Sequence, residues 1–164
     1  MLNECSECGA KVTAGQNECA YCGTGYDTDE QLLNELTTVA RKFNEALAKG
    51  NRIGIEKHLA DDFEGRLNDA GLEDVYGKKI LLENARVDKN FVSYNIYNAE
   101  LIDRSKENAV IHCLQTVTRR SVFEPGKFEP YIERGTIGFI RTDGSWLIAS
   151  QKTETIDETG NTYQ

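Results

Sequence analysis

Cys5-Ser6-Glu7-Cys8-Gly9 and Cys19-Ala20-Tyr21-Cys22-Gly23 form two C-x-x-C-G units separated by ten residues. Two thiolates three positions apart, on a tight turn closed by glycine, can both face one metal ion. The glycine supplies the positive-φ conformation that turns backbone N–H groups toward the sulfurs. Two such knuckles facing each other complete a tetrahedral four-sulfur cage, which suits one structural Zn2+ per chain held by Cys5, Cys8, Cys19 and Cys22. A redox C-x-x-C sits at the start of a helix after a strand, and no strand-like segment precedes Cys5. Disulfides need an oxidising compartment, for which nothing in the sequence argues. A four-thiolate cage also suits a single iron ion. The short insert from Gly9 to Glu18, which has no aromatic side chain, favours zinc.

The surroundings of this cage are acidic. Residues 1 to 30 hold Glu4, Glu7, Glu18, Asp27, Asp29 and Glu30 against a single Lys11, and the whole chain carries a net charge of −8. Phosphate binding is driven by lysine and arginine replacing counterions, so nucleic acid is excluded as a partner. Protein contact or plain structural duty remains for the cysteine unit. Some two dozen residues bury too little to fold unaided, so metal coordination supplies most of the folding energy there.

The 164 residues allow one ordinary domain plus a small appendage. No apolar stretch has the length of a membrane helix, and no charged-then-apolar leader precedes Cys5. With the thiols committed to metal, the expected location is the cytoplasm, with no membrane partner.

The elements that must position any further chemistry are helices first, then strands. Thr28-Asp29-Glu30-Gln31 reads as a capping box. From there Leu32, Leu33, Leu36, Val39, Ala40, Phe43 and Leu47 make one apolar helical stripe that Gly50 stops. A short helix follows from about Ile53 to Leu59, a short strand around Phe63 to Leu67, and a third helix from about Gly77 to Ala85. The period then changes to two, with strands expected over Phe91 to Leu101, Ala109 to Val122, Tyr131 to Ile140 and Trp146 to Ile156. The turn Asp143-Gly144 joins the last two. Successive hairpins predict an antiparallel sheet, and helices segregated before it give an α+β class.

The knuckles resemble the short zinc ribbons found at the N-termini of many bacterial proteins, over roughly residues 3 to 26. Leu59-Ala60-Asp61-Asp62-Phe63, Val75-Tyr76-Gly77-Lys78-Lys79-Ile80 and Asp143-Gly144-Ser145-Trp146-Leu147-Ile148, in this order of elements, resemble the nuclear-transport-factor-2-like superfamily with its polyketide-cyclase and ketosteroid-isomerase relatives. That resemblance spans about residues 28 to 157. It implies a cone-shaped domain of three helices packed on a strongly curved sheet, with a pocket at the open end. It is nearly silent on function, because isomerases, dehydratases, cyclases and purely binding proteins share the cone. The expected organisation is a ribbon over residues 1–26, the cone over 27–157, and a polar, frayed tail over 158–164.

Enzymes on such a cone place an aspartate or histidine base in the pocket. His58 and His112 are the only histidines, and each has an apolar neighbour that suits a hydrogen-bonded core residue. His112 is the candidate catalyst, with Tyr94 or Asp62 assisting. Asp61 and Asp62 suit capping or turn duty. The candidate pocket is Tyr94, His112, Gln115, Arg119 and Glu133, with Tyr97, Arg134 and Gln151 as further polar groups. Arg119 and Glu133 lie on neighbouring strands, where a cross-strand ion pair is expected; at the cone mouth Arg119 could instead fork onto a ligand carboxylate. Cys113 reads as a small buried hydrophobe. The leading expectation is a non-catalytic protein that binds a small organic ligand or a protein partner. The rival is an acid–base isomerase, dehydratase or cyclase. Apolar residues on both faces of several strands predict a homodimer.

Overall fold

The computed structural model describes residues 4–5, 7–11, 18–23, 28–69, 71–85, 91–121 and 123–162. Helix α1 (Asp29–Lys49) begins at the expected capping box: the Thr28 hydroxyl accepts from the Gln31 N–H at 3.1 Å, and the Gln31 side chain accepts from the Thr28 N–H at 2.9 Å. It ends at Gly50, whose φ of 64° lets its N–H reach the carbonyls of Ala46 and Leu47. Helix α2 (Arg52–His58) follows at once, its first turn capped by the Asn51 side chain. The chain continues as β1 (Leu59–Asp69), β2 (Leu72–Gly77), α3 (Lys78–Glu83), β3 (Phe91–Arg104), β4 (Asn108–Arg120), β5 (Phe128–Thr142) and β6 (Ser145–Ile156).

The six strands form one curved sheet in the order β2-β1-β6-β5-β4-β3. Its pairs are antiparallel except β1 with β6, which is parallel. This corrects the expectation of a purely antiparallel sheet. Alternation along a strand reports which face is buried, whereas the partner of β1 is chosen by packing some ninety residues away in the chain. A second correction is β2, whose side chains from Leu72 to Val75 are exposed and so leave no alternation to read. Register shifts between β3 and β4, between β5 and β6 at Gly138/Phe139, and between β1 and β6 mark bulges, which bend and twist the sheet.

The core lies between α1, α2 and the concave face. Leu32, Leu36, Ala40 and Phe43 of α1 and Ile55 of α2 meet Phe63, Ile96, Ile111, Cys113, Ile137, Phe139, Trp146 and Ile148 from the strands. At about 25 cal/mol per Å2, such side chains contribute roughly 1.5–3 kcal/mol each. In β4 the odd-numbered residues from Ala109 to Val117 are buried, and in β5 those from Glu133 to Phe139. The even-numbered residues face outward.

The tail expected to fray from residue 158 is instead folded as far as Thr162. Ile156 bridges Thr162, and the Asp157 carboxylate accepts from the N–H groups of Thr159 (2.9 Å) and Asn161 (3.0 Å) and from the Thr159 hydroxyl (2.6 Å). These bonds, the Thr159 hydroxyl first, hold Asp157 below the ordinary carboxylate range.

Candidate functional site

Two places concentrate chemistry, and they lie at different ends of the sheet. In the N-terminal unit the four cysteine sulfurs all lie within 4.8 Å of one another. Cys5 Sγ is 3.6 Å from Cys22 Sγ, and Cys8 Sγ is 3.5 Å from Cys19 Sγ. A zinc ion with bonds of about 2.3 Å to four tetrahedral sulfurs separates them by about 3.8 Å, so the donor set fits the ion. Each knuckle is closed alike: Gly9 (φ 73°) and Gly23 (φ 71°) donate back to the carbonyls of Cys5 and Cys19 at 3.0 and 2.9 Å. The Ala10 N–H bonds Cys8 and favours its thiolate, yet the Cys19 sulfur, then desolvation and the sulfurs of Cys22 and Cys5, push that thiol up to about 12. A bound cation would reverse that balance. Cys5 and Cys19 are buried while Cys8 and Cys22 are exposed. Tyr21, between the second pair of cysteines, stands 82% exposed. Residues 12–17, between the knuckles, lie outside the described residues; a bridge between Glu4 and Lys11 pairs the two sides of the first knuckle.

Lys106, in the β3–β4 turn, donates to the Glu7 carbonyl at 3.2 Å and so joins the N-terminal unit to the sheet. At the same end Arg104 pairs with Asp29 in the first turn of α1 at 3.0 Å.

The second place is a cavity of about 250 Å3 under the concave face, room for about eight waters. Its apolar walls are Leu47 of α1, Ile55 of α2, Leu67 of β1, Leu81 of α3 and Ala85. Tyr76, Tyr94 and Tyr131 supply three phenol rings, and Asn84, Gln151 and Thr153 supply further polar groups. A hydrogen-bonded line crosses it. Asn44 Nδ2 of α1 donates to Gln115 Oε1 of β4 at 2.7 Å, and Gln115 Nε2 donates to Glu133 Oε2 of β5 at 3.1 Å. Both strand residues are buried and lie opposite each other in the β4–β5 register. Burial, and secondarily the charge of Glu133, pushes the Tyr76 phenol up to about 12 and the Cys113 thiol up to about 11.

Of the five residues expected in the pocket, the structure brings together Tyr94, Gln115 and Glu133. His112 is corrected. It is exposed on the convex face, where its register partners are Glu100 and Thr136. Strand alternation makes His112 and Gln115 incompatible on one face, since three positions separate them. Arg119 shares the concave face but lies beyond the cavity, half-exposed, with its guanidinium 5.1 Å from the Tyr131 ring centre and 3.8 Å from Glu129. The expected Arg119–Glu133 pair is thus replaced by Arg119–Glu129, because the register sets Glu129 opposite Arg119. Arg134 faces outward to Glu154 at 3.0 Å, and Asp62 is exposed on β1. Asp61, also on β1, pairs with Lys78 of α3 at 3.1 Å. His58 is half-buried at the end of α2, and burial lowers its pKa, helped by Lys57 and Lys42.

Asn44, Tyr76 and Tyr131 were missed. Asn44 falls four residues after Ala40 and eight after Leu36, so it is a polar residue on the buried helical face, and that is a readable signal. Tyr76 carried no such signal, because its place depends on the β1–β2 pairing.

No protein-family model matches the chain, and no curated protein matches it. Solved structures do. An NTF2-like protein from Cytophaga hutchinsonii superposes with a TM-score of 0.62 at 12% identity, covering 75% of this chain and 97% of that one. An NTF2-like protein of unknown function in nutrient uptake from Rhodospirillum rubrum gives 0.60 at 19%, covering 74% and 98%. The cone has the nuclear-transport-factor-2-like fold. A ketosteroid isomerase-like protein from Erwinia carotovora atroseptica shares it as well, with a TM-score of 0.56 at 21% identity over 76% of this chain and 96% of that one. At these identities the likeness is one of architecture, and chemistry in the nuclear-transport-factor-2-like cone has to be argued from its own cavity.

Proposed function

We propose that the nuclear-transport-factor-2-like cone binds a small polar organic molecule in its cavity, and that the four cysteines hold one structural zinc ion in a ribbon that offers its acidic surface to a protein partner. The line Asn44–Gln115–Glu133 carries the reading. Two amides and a carboxylate sunk into a cavity are costly unless they are bonded, and a few fixed polar groups on an apolar wall are what orients a ligand. Native mass spectrometry and thermal-shift screening of the purified protein test it. A bound small molecule, or a compound that raises the melting temperature, is the expected result. Ala85→Phe fills the cavity without touching the polar line and should abolish that shift; a shift unchanged in the variant overturns the reading. The zinc assignment predicts one equivalent of zinc by elemental analysis of reduced protein.

A second reading is favoured by Glu133 itself. A carboxylate in an apolar, phenol-lined cavity is the environment in which a general base is tuned. An isomerase, dehydratase or cyclase would then use Glu133 as base, with Tyr76 or Tyr94 as hydrogen-bond donor, since His112 and Asp62 are exposed. Deuterium uptake from solvent into a carbon-bound position of the ligand, lost in Glu133→Gln, would distinguish catalysis from binding.

Homodimerisation through the convex face and a cytoplasmic location complete the proposal. On that face Val110, Leu114, Ile132, Ile140 and Leu147 are half-buried apolar residues. Among the described residues no helix is long and apolar enough to cross a membrane. A sedimentation experiment that finds a monomer at micromolar concentrations removes the dimer.

A further inference from the structure

We infer that the N-terminal unit is an oxidation site that exchanges its metal for disulfides: a small neutral hydroperoxide is reduced at Cys8 and Cys22, which then bond to Cys19 and Cys5. The inference rests on the zinc reading and goes beyond it, because an ion that only staples the fold needs no thiolate in contact with solvent. Here burial divides the four sulfurs. Cys5 is 0% and Cys19 3% exposed, while Cys8 and Cys22 stand open to solvent. Each exposed sulfur has a buried one of the opposite knuckle beside it, Cys8 with Cys19 at 3.5 Å and Cys22 with Cys5 at 3.6 Å. In each knuckle one cysteine meets the oxidant, and the other completes the bond begun across from it.

Sulfurs that coordinate a cation are thiolates, and the thiolate is the nucleophile. The exposed thiolate attacks one oxygen of the peroxide and breaks the O–O bond. Its sulfur becomes a sulfenic acid, and the departing hydroxide takes a proton and leaves as water. The buried thiolate beside it then attacks the sulfenic sulfur and closes the disulfide, expelling a second hydroxide that leaves as water in the same way. Two electrons pass from each sulfur pair to one peroxide. Each pair has about 1.5 Å to close to reach a bond of about 2.05 Å. Disulfide sulfurs no longer carry the charge that holds an ion, so the cage opens as the bonds form. Glu4, Glu7 and Glu18 are exposed around the knuckles, which disfavours anionic oxidants and leaves a neutral peroxide unhindered. Cys113 is spared: it is 5% exposed in the core of the cone, and burial pushes its thiol up to about 11, so little thiolate exists at neutral pH. Disulfides that form in a reducing compartment are transient and redox-sensing, in keeping with the expected location.

Treatment of the full-length, zinc-loaded protein with a molar excess of hydrogen peroxide tests this, read by a zinc-sensitive dye and by mass spectrometry. Expected are release of the zinc, a mass four hydrogens below that of the reduced, metal-free chain, and Cys113 alone still open to alkylation after unfolding. Lys11 is the one basic residue before Arg41, so trypsin leaves Cys5 and Cys8 in peptide 1–11 and Cys19 and Cys22 in peptide 12–41. Disulfides between the knuckles link these two peptides, and cleavage after Glu7 and Tyr21 then assigns Cys5–Cys22 and Cys8–Cys19. Zinc retained under peroxide, disulfides closed within each knuckle, or oxidation of Cys113 at the same rate overturns the inference and leaves the zinc reading standing. Protein purified under reducing conditions that holds no zinc overturns both.

Discussion

Gly65 and Tyr76 face each other across the β1–β2 pair, and a Cβ on Gly65 would overlap the Tyr76 ring. The bare Cα lets the ring fold across β1, meet Phe63 in a tilted contact with ring centres 6.0 Å apart, and reach the cavity wall. Gly65→Ala should therefore expel the ring and destabilise the fold by about 1–3 kcal/mol, measured by urea denaturation. Tyr76 also predicts an alkaline transition. Its folded-state pKa of about 12 lies above the ordinary 10.0, so the unfolded chain loses this proton first as pH rises. Stability is then complete below about pH 10 and falls between pH 10 and 12. The ultraviolet phenolate band should show a late-titrating component that Tyr76→Phe removes. At this scale the sequence was half legible. Gln115 and Glu133 could be read because they fall in step with Ile111, Cys113 and Val117 and with Ile137 and Phe139 on one face. The same alternation, applied strictly, turns His112 outward.

Elements with local causes were legible, and those with distant ones were not. The bounds of α1 follow from Thr28, Gln31 and Gly50, all within hydrogen-bonding reach of the helix ends. Thr28→Ala should cost about 1 kcal/mol in chemical denaturation and leave the cavity residues in place. The four long strands declared themselves by period two, although β3 and β5 run further than expected, to Arg104 and Thr142. The parallel seam of β1 against β6 has no local signature, because it forms only when the last strand returns to the first. The C-terminal turn was missed for another reason. Asp157, Thr159 and Asn161 read as polar tail, yet one carboxylate gathers all three of its short bonds from them. Asp157→Ala should release that turn, seen as faster amide exchange at Thr159 and Asn161, without a change in the melting of the core.

At the scale of the molecule, the core of the cone contains, among the described residues, none of the N-terminal cysteine unit. Chelation should therefore release zinc and unfold the N-terminal unit while the far-ultraviolet circular dichroism of the cone persists; loss of the whole signal would show that the two units fold together. The contact from Lys106 to Glu7 fixes the ribbon beside the turn that opens β4. From Asn108 to Gln115 that strand climbs about 23 Å, so the four cysteines are remote from the polar line. A partner that grips the cysteine unit, as proposed, would take the protein by a handle remote from the polar line. A ternary complex should assemble in either order, each affinity unchanged by the other guest, and the chain would act as an adaptor that shows its cargo to solution while moored.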